Sequence, residues 1–340
     1  MDGNYDEALL RLHRTGPEFR GGLANHGPMA VDALFRLGQG EEVGSWVDGY
    51  VRKLDELPAR WWPITDRTDW RDPLGDGTRI GDWLEYFTRQ LKQAPWTTVL
   101  AVWWPRLLPG GVASATHPLI RTGHAVRALL EEETEPRVEE LGQALGYWAA
   151  RWTPLPPAQP VGRMPATTAL DGLPTLPDRG GARARVMALF DEPAWAAAVS
   201  RAATPAAPNE VEQALDDLVD AAVSHYASWA TAEPVMLVHM ATAPRAARLV
   251  LPALPPSLWP MTYTSSWRVS AAIASMYRPD ASSVPVTPVA DRTTETDVAR
   301  AAAENGDEHA IKFTEVALES HRRGNPDAIA AARLALREIS

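Results

Sequence analysis

The chain contains no cysteine. Disulfides, thiolate zinc sites, iron–sulfur clusters and thiol nucleophiles are therefore excluded. Positive charge is also in deficit, with 33 Lys and Arg against 43 Asp and Glu and a formal net charge of −10. A nucleic-acid binder would carry a clustered basic stripe, so no nucleic-acid partner is expected. Long apolar runs are missing: Thr98–Trp104 is cut off by Pro105 and Arg106, far short of the roughly 18 residues a membrane span needs. Met1–Glu7 is acidic and polar, unlike a secretory signal, and the expected location is the cytoplasm. Several catalytic templates are absent as well. No Gly-x-Gly-x-x-Gly follows a strand, and there is no phosphate-binding P-loop, no Gly-x-Ser-x-Gly elbow and no His-Glu-x-x-His.

Apolar residues at helical spacing fill most of the chain, while strand-like alternation is scarce. Leu9, Leu10 and Leu12 open one amphipathic segment, and Val31, Leu34, Phe35 and Leu37 mark another. In Glu41–Leu54, Val43, Trp46, Val47, Tyr50, Val51 and Leu54 share a face. Ile80–Leu91, Trp96–Leu108, Pro118–Glu132, Val138–Trp152, Asn209–Ala232, Val298–Asn305, Asp307–Arg322 and Pro326–Arg337 read the same way. The expected fold is all-α, with residues 1–340 forming one domain of many packed helices. Two stretches break the rhythm. Prolines at 154, 156, 157, 160, 165, 174 and 177 make residues 153–180 a linker or an ordered surface loop. Pro279–Pro288 is a shorter version.

Eight histidines are the main candidates for chemistry. His13 and His321 sit among charged residues and read as solvated helix faces, and His225 as a packed or capping residue. His26 and His117 each lie at a helix start, His124 follows in Thr122-Gly123-His124-Ala125, His239 interrupts the apolar run Val235–Met240, and His309 belongs to Asp307-Glu308-His309-Ala310-Ile311-Lys312. An imidazole buried without a partner costs about 1–3 kcal/mol. A shared metal satisfies several such rings together, and neutral imidazole suits iron, zinc, copper or nickel. Spacing alone favours the other reading, that each is a hydrogen-bonded core histidine, because the short spacings of metal motifs are missing. His309 and Lys312 are three apart and share a helix face. A protonated ammonium does not ligate a cation, so Lys312 beside a metal would be deprotonated, carbamylated or a nearby charge. The ordinary alternative is an exposed lysine paired with Glu308 or Glu315. His117 and His124 are seven apart with Arg121 between them, about 10.5 Å along a helix axis. One metal taking both would strain the side chains, so His117 is assigned to the metal and His124 to its surroundings or a substrate pocket. Fourteen tryptophans, densest at Trp61-Trp62 and Trp103-Trp104, would accommodate a flat aromatic ligand. Trp46, Trp83, Trp148 and Trp229 fall at core spacing.

The blocks Asn25-His26-Gly27-Pro28-Met29, His117-Pro118-Leu119-Ile120, Leu237-Val238-His239 with Thr242-Ala243-Pro244, and Asp307–Lys312 resemble, in this order, the questin oxidase-like family. The resemblance implies an α-helical oxygenase of secondary metabolism that cleaves rings of anthraquinone-type polyketides, including Baeyer–Villiger-like oxygen insertions. It further implies non-haem Fe(II) held by His26, His117, His239 and His309, with Lys312 as a carbamate fifth ligand. His124 and Arg121 are then the catalytic candidates, and Asn25 and Asp307 orient the ligands. The expected partners are an aromatic small molecule and O2. Two alternatives stand beside this: a metal-free NADPH-dependent monooxygenase, and a non-catalytic protein that binds an aromatic metabolite.

Overall fold

Three- and four-residue apolar spacing becomes helix along most of the chain in the computed structural model, which describes residues 3–65, 67–177, 180–279 and 293–339. The fold is all-α. The one sheet among the described residues is a ribbon of Glu18–Phe19 against Leu23–Ala24. No helix among them is long and apolar enough to cross a membrane. The internal contacts fall into two compact units.

The first unit comprises residues 1–154 and 249–255. It contains α1 (Gly3–Leu12), α2 (Gly27–Arg36), α3 (Val43–Tyr50), α4 (Ile80–Gln93), α5 (Trp96–Leu107), α6 (His117–Glu131) and α7 (Glu135–Arg151). α7 packs most extensively against α4 and α6. The close approach to α4 depends on Gly146, where a Cβ would lie 3.1 Å from the Leu84 backbone nitrogen. Between these helices Trp103 meets Trp83, Tyr86 and Phe87 edge-on, at 5.0–5.5 Å between ring centroids. Trp104 meets Trp148 the same way. The Trp103-Trp104 pair is therefore core and offers no surface to a flat ligand. Trp61 and Trp62 are exposed instead, with their backbone N–H groups donating to the buried carboxylate of Asp82.

The second unit comprises residues 155–248 and 256–340. Its helices are α8 (Ala166–Asp171), α9 (Ala182–Phe190), α10 (Pro193–Val199), α11 (Val211–Trp229), α12 (Pro234–Leu237), α13 (His239–Val250), α14 (Trp259–Tyr277), α15 (Glu295–Asn305), α16 (Glu308–Arg322) and α17 (Ala328–Glu338). α16 and α17 pack together, and α11 lies against α14, α16 and α17. The described residues of the proline-rich segment form an ordered loop, and the chain passes from the first unit to the second at its start. The loop contains α8, forms parallel bridges from Gly162 to Ala203 and from Met164 to Ala202, and gives the carbonyls of Leu155 and Pro156 to Arg268. Beyond its first residue, the Pro279–Pro288 stretch lies outside the described residues.

Candidate functional site

In the first unit, the segment before α2 is shaped by Asn25. Its Oδ1 accepts the Gly27 N–H at 2.9 Å and its amide donates to the Gly16 carbonyl. Asn25 therefore sets the turn and does not hold the imidazole of His26. The His26 backbone N–H donates to the Tyr50 hydroxyl at 2.6 Å. His117 is the first residue of α6, and its Nε2 lies 2.6 Å from Nε2 of His26, with the ring planes at 88°. Nδ1 of His117 lies 2.5 Å from the Ser114 carbonyl. A carbonyl only accepts, so Nδ1 carries the proton and Nε2 the lone pair. Two ring nitrogens this close repel unless a proton or a metal cation stands between them.

The same face of α6 carries two buried charge clusters. Arg121 donates through Nε and Nη2 to both oxygens of Glu140, whose Oε2 also receives His13 Nε2 at 2.8 Å. The third guanidinium nitrogen, Nη1, is buried with no hydrogen-bond partner among the described residues. Burial pushes the Glu140 carboxyl up, but Arg121 and His13 more than offset this and leave it below the usual carboxylate range. Burial pushes His13 down, and Glu139 and Glu140 override that to hold it above its ordinary value. The reading of His13 as a solvated face is thus corrected: it is buried and paired across to α7. Two turns along from His117, His124 Nδ1 lies 2.7 Å from Oδ2 of Asp32, an oxygen that also receives Arg127. Burial raises the Asp32 carboxyl, yet Arg127, His124 and Arg36 hold it well below the usual range. Asp32 is ionised and accepts from His124 Nδ1, and Arg127 Nη2 lies 3.2 Å from the same ring nitrogen.

In the second unit, Asp307 caps α16 by accepting the His309 N–H at 2.7 Å, and its Oδ1 also lies 3.3 Å from His309 Nδ1. His239 opens α13 with Nδ1 3.1 Å from the Met236 carbonyl. Both rings are thereby fixed with the lone pair on Nε2, and their centroids are 5.4 Å apart. Burial, then the nearby His309 and Lys312, keep His239 far below its ordinary value and hence neutral. Burial also lowers His309, with Asp307 partly opposing. Lys312 is not the exposed, paired lysine of the ordinary alternative. It is 1 % exposed, and its Nζ has no hydrogen-bond partner among the described residues. Burial pulls the amine down to about 7, with Glu308 and Asp307 opposing.

The structure thus brings His26 together with His117 in one unit, and His239 with His309 and Lys312 in the other. Three of these four rings give Nδ1–H to an oxygen, the arrangement that leaves Nε2 as a metal ligand. Sequence reasoning missed Asp32, Glu140 and Tyr50. Asp32 had a readable signal, a lone charge inside the apolar run Met29–Leu34. No family model matches the chain, and no curated protein matches it.

Proposed function

We propose that the chain is a non-haem iron-dependent oxygenase acting on an aromatic polyketide of the anthraquinone or hydroquinone type, by oxidative ring cleavage or Baeyer–Villiger-like oxygen insertion. The observation that supports it is the shared chemistry of the candidate ligands. His117, His239 and His309 have Nδ1 anchored by an oxygen, and Lys312 is a buried amine with an unbonded Nζ. Neutral imidazoles with an oxygen-donor carbamate form a nitrogen–oxygen set that suits iron. His26 and His117 in the first unit, and His239, His309 and carbamylated Lys312 in the second, are the residues that would hold iron. When bound, iron supplies the one-electron redox chemistry that O2 needs to react with a closed-shell phenol.

The remaining roles belong to the protein. Ser114, Met236 and Asp307 orient the rings, so the ligand nitrogens are set before metal arrives. An amine lowered to about 7 is substantially unprotonated at neutral pH, the form that attacks carbon dioxide. Asp32 fixes His124 with Nε2 free to take a phenolic proton, as an orienting carboxylate does for a general base. Glu140 holds Arg121 so that Nη1 is left to donate to a substrate oxygen.

The test is anaerobic reconstitution with ferrous iron, elemental analysis, and O2 uptake with a reduced anthraquinone as probe. The expected result is one iron per chain and iron-dependent O2 uptake, both lost in His239→Ala. Absence of stoichiometric iron overturns the reading. NADPH-coupled O2 uptake by metal-stripped protein would put a metal-free monooxygenase in its place. Quinone-induced tryptophan quenching without O2 consumption would put a binding protein there.

A further inference from the structure

Immediately before His117 the backbone does something L-residues avoid. Ser114, Ala115 and Thr116 have φ of 42°, 53° and 72°, three consecutive left-handed residues without a glycine among them. The left-handed region crowds Cβ against the backbone, and for a β-branched residue such as Thr116 it is an outlier. The chain does not lack the usual remedy. At Gly21, Gly22, Gly38, Gly75, Gly180, Gly306 and Gly324 it places glycine at positive φ. Among the described residues Arg20 is the one other non-glycine residue at positive φ. Such a conformation persists only where the surroundings over-determine it.

The surroundings do so here through a braced chain of contacts. The Ser114 carbonyl accepts both the backbone N–H and the ring Nδ1–H of His117. Ser114 Oγ lies 3.2 Å from the hydroxyl of buried Tyr147, which donates to Glu18 Oε1 at 3.1 Å. Arg151 in turn clamps Glu18 through Nε at 2.7 Å and through Nη2. Each link constrains the next, from α7 through the N-terminal ribbon to the turn.

We infer that the Ser114–Thr116 turn, braced by Tyr147, is a positioning device that fixes the tautomer of His117 and the direction of its Nε2. The inference rests on the metal-binding reading of His26 and His117. A turn that served only to connect α5 to α6 would be met as well by glycine. A turn that must hold one carbonyl against one imidazole gains from residues that cannot relax.

Two full-length variants test this. Tyr147→Phe removes the brace, and Ala115→Gly lets the turn relax while removing no hydrogen bond. The readouts are the dissociation constant for cobalt(II), followed by its visible absorption, the thermal melt, and the His117 tautomer from long-range 1H–15N correlation in metal-free, histidine-labelled protein. In wild type, His117 should show the Nδ1–H tautomer. Both variants should weaken cobalt binding about tenfold or more and give His117 a mixed tautomer. Ala115→Gly should nevertheless melt at or above the wild-type temperature, a combination that a merely structural turn would not produce. Wild-type cobalt affinity and tautomer in Ala115→Gly overturn the inference. A wild-type chain that takes up no cobalt overturns the metal reading beneath it, and this inference with it.

Discussion

Lys312 is the residue on which burial acts most directly. An amine with no hydrogen-bond partner in a closed interior destabilises the metal-free fold by about 1–3 kcal/mol. Lys312→Met keeps the aliphatic volume and removes that penalty. The metal-free variant should therefore be more stable by about that amount, read from denaturant midpoints, while losing iron uptake. A destabilised variant would mean that the amine is satisfied and is no waiting ligand. His13 gives the pH dependence. Its folded value is raised by Glu139 and Glu140, so the stability it contributes is fully present below about 6.5. That contribution is lost as pH rises through the raised folded value, because the unfolded chain has already released the proton. Glu140 has the opposite sign: its value is lowered, so its contribution is present above the unfolded carboxylate value and is lost as pH falls through the folded one. Melting temperature against pH for His13→Gln and wild type should differ most below about 6.5 and converge on the alkaline side. Neither the buried amine nor the His13 pair was legible in the sequence. An i,i+3 spacing places Lys312 beside His309 but does not say whether solvent reaches it. The partner of His13 lies on α7, more than a hundred residues away in the chain.

The helices that could be read were those with one apolar stripe. α4, α6, α7, α11 and α16 fall close to their expected bounds because charged residues interrupt the apolar ones at helical spacing in each, whereas α14 carries Arg268 alone. α14 was not read, and its burial explains why. Most of Trp259–Tyr277 is buried, serines and a threonine included, so no polar face marks the period. α9 and α10 are short and rich in alanine, and α13 carries an internal proline at Pro244. Of the candidate site, the sequence supplied the four histidine blocks, since each stands at a helix start or inside an apolar run. It did not supply Tyr147 or Ser114, whose roles come from the pairing of elements. The contact of α4 with α7 allows a test at this scale. A methyl group on Gly146 would meet Leu84 Cδ2 at 2.9 Å and the Leu84 backbone at 3.1 Å. Because the obstacle includes backbone, Gly146→Ala should destabilise the fold by about 1–3 kcal/mol through overpacking, despite alanine's better helix propensity. Chemical denaturation is the measurement, and a neutral or stabilising result would show that the two helices yield.

At the scale of the whole molecule, the proposed ligands fall in different parts of the chain: His26 and His117 in the first unit, His239, His309 and Lys312 in the second. Within each unit the proposed ligands are far apart in sequence, so metal binding at either is a property of the folded unit, because no short peptide contains them. Binding that favours the native state over the unfolded one stabilises by RT ln(1 + [L]/Kd), about 2.7 kcal/mol at a hundredfold excess over Kd. Each further decade of free metal then adds about 1.4 kcal/mol. Anaerobic ferrous iron should therefore raise the melting temperature in proportion to the logarithm of its concentration, and a chelator should reverse the rise. In the same titration His117→Ala reads the contribution of the first unit's histidines to the thermal response and His239→Ala that of the second unit's, and each is expected to lower it. An unchanged response in both variants would remove the histidines from metal binding.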